Sequence, residues 1–109
     1  MSRNLEPSIA QYIEGVNAFD ADLAATGFAV DAVVHDEGRD HAGLAAIRAW
    51  IQDANTRYST QIAIDTLTQQ GDATVVHATI SGRFPGSPLP LRFSFQLHAG
   101  RIQRLEIAP

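Results

Sequence analysis

The most regular stretch of this sequence is residues 89–98, which read Leu89-Pro90-Leu91-Arg92-Phe93-Ser94-Phe95-Gln96-Leu97-His98. Large apolar residues occupy every second position along it. Because successive side chains of a strand point to opposite faces of a sheet, this alternation predicts a half-buried β-strand. The apolar side of the strand needs a covering layer, so the stretch predicts a sheet that is packed on one face.

Further strands are predicted on both sides of this stretch. Gly71-Asp72 is a hairpin turn signal between one strand around residues 62–66 and another over residues 73–84. The turn-forming residues 85–88 end the second of these strands, and a last strand covers residues 101–108. The second half of the chain therefore predicts four consecutive antiparallel strands.

The first half of the chain reads mainly as helices. Four apolar residues have the spacing of one face of a first helix: Ile9, Tyr12, Ile13 and Val16. Asp20 can cap a short second helix over residues 21–25. A short strand over residues 32–36 follows, turn formers occupy residues 36–40, and a third helix starts near Ala42.

Helices that precede strands, rather than alternating with them, indicate the α+β class. The prediction is three N-terminal helices packed on a strongly curved antiparallel sheet, a cone-shaped, cystatin-like roll. A length of 109 residues fits one domain, residues 1–109. A composition of 45% hydrophobic and 18% charged residues is sufficient for a core.

Charge and residue usage exclude several functions. The chain has 8 arginines, no lysine and 12 acidic residues, a net charge of −4, which argues against nucleic-acid and anionic-membrane partners. Without lysine there is no Schiff-base chemistry, and without cysteine there is no thiol catalysis and no thiolate zinc site. No apolar run reaches the roughly 20 residues of a membrane span. Residues 1–7 lack the apolar stretch of a signal peptide, so we expect a soluble cytoplasmic protein.

A curved sheet over helices leaves a cavity at the open end of the cone and an uncovered convex face. In the strand over residues 73–84, we expect Val76, Ala78 and Ile80 to point away from the face that bears His77 and Thr79. A strand with apolar residues on both of its faces implies that both faces of the sheet are covered. A second subunit is the simplest cover for the convex face. The sequence therefore predicts a homodimer through the convex face.

The chain resembles a known family in three places. These are residues 12–20 (YIEGVNAFD), residues 32–36 (AVVHD) with 43–50 (GLAAIRAW), and residues 91–97 (LRFSFQL) with 100–102 (GRI). In this order they resemble the SnoaL-like branch of the nuclear transport factor 2-like superfamily, which includes polyketide cyclases, ketosteroid isomerases, dehydratases and binding modules. The resemblance implies a cone of three helices on a curved sheet, often as a homodimer.

Within that superfamily, ketosteroid isomerase is the enzyme of known chemistry with which this sequence can be compared. Its pattern has a tyrosine on the first helix and an aspartate at the end of the short strand that follows the second helix, and these positions fall on Tyr12 and Asp36. The protonated carboxylic acid of its oxyanion hole falls on Phe93, so that group is missing here. The same comparison places His77 on the cavity face, where it could supply the missing polar partner.

The resemblance gives Asp36 and Tyr12 catalytic roles. Asp36 would be a general base whose pKa is raised by desolvation, and Tyr12 would donate its hydroxyl to a developing oxyanion. Structural interpretations stay open beside these roles: Asp36 as a turn aspartate bonded to amides of residues 37 and 38, and Tyr12 as a core aromatic. The residues expected to line the ligand cavity are Trp50, His77, Thr79, Phe93, Phe95, Val16 and Phe28.

Two other histidines receive structural interpretations. His35 is expected to point away from Asp36, because side chains alternate along a strand. His41 lies in the turn before the third helix and is expected to cap that helix. With Asp36 and Asp40 these histidines have no metal-ligand spacing, so no metal is expected.

Two classes of function remain. One is a cofactor-free isomerase, cyclase or dehydratase that transfers a proton next to a carbonyl of a small apolar ligand, which bears a carbonyl or a ring. The other is a non-catalytic ligand-binding or dimerisation module of the same fold. An epoxide-hydrolase chemistry is a weaker third, because its Asp–Arg–Asp set has no counterpart on the strands.

Overall fold

The computed structural model describes residues 5–109, and these form three helices and six strands. The elements are α1 (Pro7–Asn17), α2 (Ala21–Thr26), β1 (Phe28–Asp36), β2 (Arg39–Ala42), α3 (Leu44–Tyr58), β3 (Gln61–Gln70), β4 (Ala73–Ser81), β5 (Leu89–His98) and β6 (Arg101–Ala108). Residues 1–4, part of the segment considered for a signal peptide, lie outside the described residues. The predicted α+β fold, with helices on a curled sheet, is confirmed.

The strands form one sheet in the order β2-β1-β6-β5-β4-β3. The four consecutive antiparallel strands of the prediction are β3 to β6. The first predicted strand, β1, lies parallel to β6, so the last strand of the chain occupies a central position.

The structure adds a strand that was expected to be a turn. Residues 36–40 were assigned as a turn, but only Glu37 and Gly38 make the reversal, with φ of 54° and 74°. Positive φ at both central residues is typical of the two-residue hairpin turn whose twist matches paired strands. The chain therefore pairs directly into β2, and α3 begins at Leu44 rather than near Ala42.

The helices cover the inner, concave face of the sheet. The buried face of α1 is the predicted one: Ile9, Tyr12, Ile13 and Val16 are all at most 7% exposed. Asp20 caps α2, since its Oδ1 accepts a hydrogen bond of 3.1 Å from the backbone N–H of Leu23. At the crossing of the two helices Gly15 packs on the backbone of Ala24, where any Cβ would collide.

The orientation of β4 is opposite to the predicted one. Val76, Ala78 and Ile80 belong to the buried core under the helices, with at most 5% exposure. His77 is exposed on the outer face, and Thr79 lies half-buried on that face. The physical reason is that three apolar side chains gain more from burial than a histidine and a threonine, and the period of two then fixes the remaining positions. The argument for a homodimer from an apolar convex face of β4 therefore no longer holds.

The free edge of β3 is covered at Ile62 by Asn17, the last residue of α1. The side-chain amide of Asn17 donates to the carbonyl of Ile62 at 3.0 Å, and its Oδ1 accepts from the Ile62 N–H at 2.6 Å. This pair of bonds imitates a neighbouring strand and protects an edge that could otherwise pair with another chain.

Candidate active site

Tyr12 lies on the inner face of α1 within a cluster of aromatic rings. Its side chain is 3% exposed. Phe28 and Phe95 approach the phenol edge-on, with ring centroids 5.6 Å and 5.9 Å away, and Phe93 lies 6.5 Å away. Val16, one turn later on α1, belongs to the same core. The structure therefore brings these four predicted lining residues to the interior around Tyr12, and their contact with a ligand stays a prediction.

Asp36 is the last residue of β1 and is fixed by the hairpin to β2. It pairs with Arg39 across the turn of Glu37 and Gly38. Its side chain is half-buried on the same face as Val34, which is fully buried. A strand end next to a tight turn places the carboxyl at the rim of the core, where it is partly removed from water.

The Trp50 indole connects the carboxyl to the phenol. Its Nε1–H donates a hydrogen bond of 3.2 Å to Asp36 Oδ2. Its ring is parallel to Tyr12 within 6°, with 6.3 Å between centroids. The predicted wall residue therefore contacts both groups, because a partly buried indole N–H needs an acceptor and Asp36 provides one.

Burial changes the acid–base properties of both groups. Desolvation raises the pKa of Asp36 above its ordinary value of 3.8, and the charge of Glu37 adds to this effect. The Trp50 hydrogen bond, the positive charge of His41 and the Glu37 backbone amide act in the opposite direction. Burial, and then the charge of Asp36, raise the pKa of Tyr12. The phenol therefore stays protonated as a donor, and the carboxylate is a stronger base than an exposed aspartate.

His41 is a site residue that the sequence analysis missed. It lies on β2 opposite Val34, and its ring centroid is 5.7 Å from that of Trp50, with 30° between the planes. The sequence Glu37-Gly38 could have indicated this position, because a two-residue hairpin turn there fixes the register of β1 and β2. That register puts His41 on the same face as Val34 and Asp36.

The remaining predicted residues do not reach this site. His77 and Thr79 face outward, so the predicted position of His77 on the cavity face is wrong. Thr79 Oγ1 donates to Asp65 Oδ2 at 2.8 Å. His35 points outward as expected and bonds Asp40 at 2.6 Å.

Two clefts of the described residues lie on the outer face of the sheet. One of about 130 Å³ is lined by Asp65, His77 and Arg92 among others. The other, of about 390 Å³, lies beside the Glu37–Gly38 turn and is lined by residues of β5 and β6. Neither of these two clefts is lined by Tyr12, Asp36 or Trp50.

Among residues 5–109, no three His, Asp or Glu side chains are grouped so that they could hold a metal ion. None of the helices within this part of the chain is both long and apolar enough to cross a bilayer.

Comparison with known proteins gives the family. The sequence profile of the SnoaL-like domain matches residues 9–105. A candidate polyketide cyclase from Sinorhizobium meliloti is 41% identical, covers 95% of this chain and 95% of its own, and has a TM-score of 0.90. No curated protein matches the sequence.

Two more distant structures share the fold. A cystatin-fold protein from Novosphingobium aromaticivorans has 18% identity, 94% and 95% coverage of the two chains, and a TM-score of 0.78. A protein with a ketosteroid isomerase-like fold from Catenulispora acidiphila, in complex with trimethylamine, has 16% identity, 94% and 85% coverage, and a TM-score of 0.82. Profile and structures agree with the cone of helices and curled sheet described above, and the chain belongs to the SnoaL-like domain family.

Proposed function

We propose that this protein transfers a proton at a carbon next to a carbonyl of a small apolar molecule, without a cofactor, as an isomerase or cyclase. The observation that carries the proposal is the Trp50 indole, which contacts both Asp36 and Tyr12 and so places a desolvated carboxyl near a buried phenol. A base of raised pKa and a donor that stays protonated are the two groups that enolisation requires.

The proposed step uses the two groups in turn. The Trp50 indole N–H and the Glu37 backbone N–H both donate to the Asp36 carboxylate, and a remaining lone pair of this carboxylate takes the proton from carbon. The electron pair of the broken C–H bond moves into the enolate, whose oxygen accepts a hydrogen bond from the Tyr12 hydroxyl. Asp36 then returns the proton to another carbon, so no oxidant or reductant is consumed. Because the indole covers the phenol, ligand entry requires Trp50 to turn aside.

The test is hydrogen–deuterium exchange into 2-tetralone, an apolar bicyclic ketone with acidic protons next to its carbonyl. We expect the protein in D₂O to accelerate exchange, followed by NMR. Tyr12→Phe should lower the rate by about 10²–10³, the effect of losing one oxyanion donor, and Asp36→Asn should lower it to the background level.

The matched controls are Tyr58→Phe and Asp72→Asn. Tyr58 lies on α3 against Phe84, and Asp72 is exposed in the β3–β4 turn, so neither touches the site. Equal losses in the controls, or exchange that survives Asp36→Asn, would remove the proposed base.

A binding module of the same fold is the second candidate, and Phe93 favours it. The residue is 4% exposed within the aromatic core, and it stands where the resemblance expects a second carboxyl group. Saturable quenching of Trp50 fluorescence by 2-naphthol, without any exchange of 2-tetralone, would select this candidate.

We also propose that a second copy of the chain covers the outer face of the sheet. The resulting homodimer would be a soluble cytoplasmic protein. A twofold contact must be self-complementary, and this face carries both signs of charge, with Arg92 and Arg104 near Glu106. Sedimentation should give a dimer that Arg92→Glu weakens. A monomer at micromolar concentration contradicts this part of the proposal.

A further inference from the structure

His41 has no assigned role, yet it contacts a central side chain of the site. It is half-buried on the short edge strand β2 and faces the interior with Val34. Its ring stacks on Trp50, with centroids 5.7 Å apart. A capping role would have placed the ring at the start of α3, which instead begins at Leu44 without a side-chain cap.

The indole is held by contacts of three kinds. Tyr12 stacks on it in parallel, Asp36 accepts its N–H, and His41 makes the remaining ring contact. In the described ring contacts, Tyr12 and His41 each touch the indole and not each other. The Tyr12 contact is fixed by the core, and the Asp36 contact by the hairpin turn. His41 lies on an edge strand, so it is the contact that can be released without disturbing the core.

Charge couples the same groups. The charged and titratable groups near His41 and Asp36 include Glu37 on the turn, Arg39 and Asp40 on β2 and Tyr12 on α1. The positive charge of His41 lowers the pKa of both Asp36 and Asp40. His41 therefore favours the carboxylate form of the group that accepts the indole N–H.

We propose that His41 is a positioning residue of this site, which holds the Trp50 indole over Tyr12 and against Asp36. Its contact sets how readily the indole turns aside and how strongly Asp36 is hydrogen-bonded before a ligand enters. This role depends on the proposed function only for its effect on turnover.

The test uses Trp50 as its own reporter, since it is the single tryptophan of the chain. In His41→Ala the indole should be released, which red-shifts its emission and increases its quenching by acrylamide. His41→Phe keeps a ring in the same place and should restore the wild-type emission and quenching. His98→Ala, which replaces an exposed histidine at the end of β5, is the control and should change neither.

A pH titration of the same emission separates positioning from simple packing. Asp36→Asn should remove the acidic transition, which assigns it to the carboxyl that touches the indole. His41→Phe should move the midpoint of that transition to higher pH, because the positive charge that favours the carboxylate is gone.

The proposal is overturned if His41→Ala leaves emission and quenching as in the wild type, or if His41→Phe fails to move the acidic midpoint. Should His41→Ala not fold, the His41→Phe titration decides alone. These measurements need no turnover. Absence of 2-tetralone exchange would therefore count against the proposed function and not against this role of His41.

Discussion

The side chain of Asp36 is subject to opposing influences at the end of β1. Partial burial and Glu37 disfavour its charge, whereas Trp50 and His41 favour it, and the net result is a raised pKa. A carboxyl in this position costs the fold some stability when it ionises. Such a cost is common where a group is kept for chemistry rather than for packing.

A first prediction follows from the direction of that pKa. The folded chain holds the Asp36 proton to a higher pH than the unfolded chain, whose value is near 3.8. The stabilising contribution is complete below that value and is lost as the pH rises through the folded pKa. Asp36→Asn removes this loss, so its melting temperature should exceed that of the wild type near neutral pH. The difference should vanish in acid, and a variant that is less stable at neutral pH would contradict the argument.

A second prediction compares two asparagines with opposite surroundings. Both amide groups of Asn17 are bonded to Ile62, whereas Asn55 is 7% exposed on α3 and its amide atoms have no partner among the described residues. Asn17→Ala should lower the free energy of unfolding by about 1–3 kcal/mol, because it leaves two backbone groups unpaired. Asn55→Leu should raise it by about 1 kcal/mol. Urea denaturation measures both, and a loss of stability in Asn55→Leu would show that its amide is bonded in solution.

The sequence was sufficient to predict some of the residues of the candidate site, but not all of them. Resemblance to the isomerase pattern pointed to Tyr12 and Asp36, and the structure brings both into contact with Trp50. His41 was missed because its place depends on a hairpin register. His77 was assigned to the wrong face because the comparison was applied to a strand whose own apolar pattern points the other way.

Among the elements, the crossing of α1 and α2 depends on a residue without a side chain. Gly15 sits against the backbone of Ala24, and this close approach lets α2 fold back on α1 and aligns Tyr12 toward the sheet. The cost of a glycine within a helix is about 1 kcal/mol relative to alanine. The packing of the two helices must exceed that cost.

The third prediction is therefore that Gly15→Ala destabilises the protein although alanine is the better helix former. A Cβ at this position meets backbone atoms that cannot rotate away, and overpacking of this kind costs about 1–3 kcal/mol. Glu14→Ala, an exposed change on the same helix, should remain within about 0.5 kcal/mol. Thermal unfolding followed by circular dichroism gives both values, and a stabilised Gly15→Ala would show that the helices can separate slightly.

Most elements were predictable, including the short helix α2, whereas β2 was missed and the bounds of β1, β3 and β4 differ from the predicted ones. β5 and β6 have the predicted bounds, and the four apolar residues of the first helix face lie within α1. β6 buries Ile102 and Leu105, three positions apart, because the pairing with β5 shifts between Gln96 and Leu97. Such a bulge breaks the period of two that sequence reading relies on.

For the whole molecule, the central position of β6 decides how the fold holds together. It pairs in parallel with β1 on one side and antiparallel with β5 on the other. The hairpin of β1 and β2, which carries Asp36 and His41, is therefore joined to the rest of the sheet through β6 alone.

The fourth prediction compares one substitution at the centre and at the edge. Leu105→Ala, on β6 and fully buried, should cost about 2–5 kcal/mol, a large share of the roughly 5–15 kcal/mol that stabilises a domain. Leu67→Ala, on the edge strand β3 and only half-buried, should cost clearly less. Equal losses in urea denaturation would mean that packing at the centre of the sheet contributes no more stability than packing at its edge.

The place of β6 also has a consequence for biosynthesis. During translation the residues of β6 leave the ribosome after every other element of the domain. Until then the β1–β2 hairpin and the β3–β5 strands are not paired with each other, and their apolar faces are exposed. A nascent chain in that state is prone to aggregate. Chaperones can bind its exposed apolar surface until β6 pairs with β1 and β5.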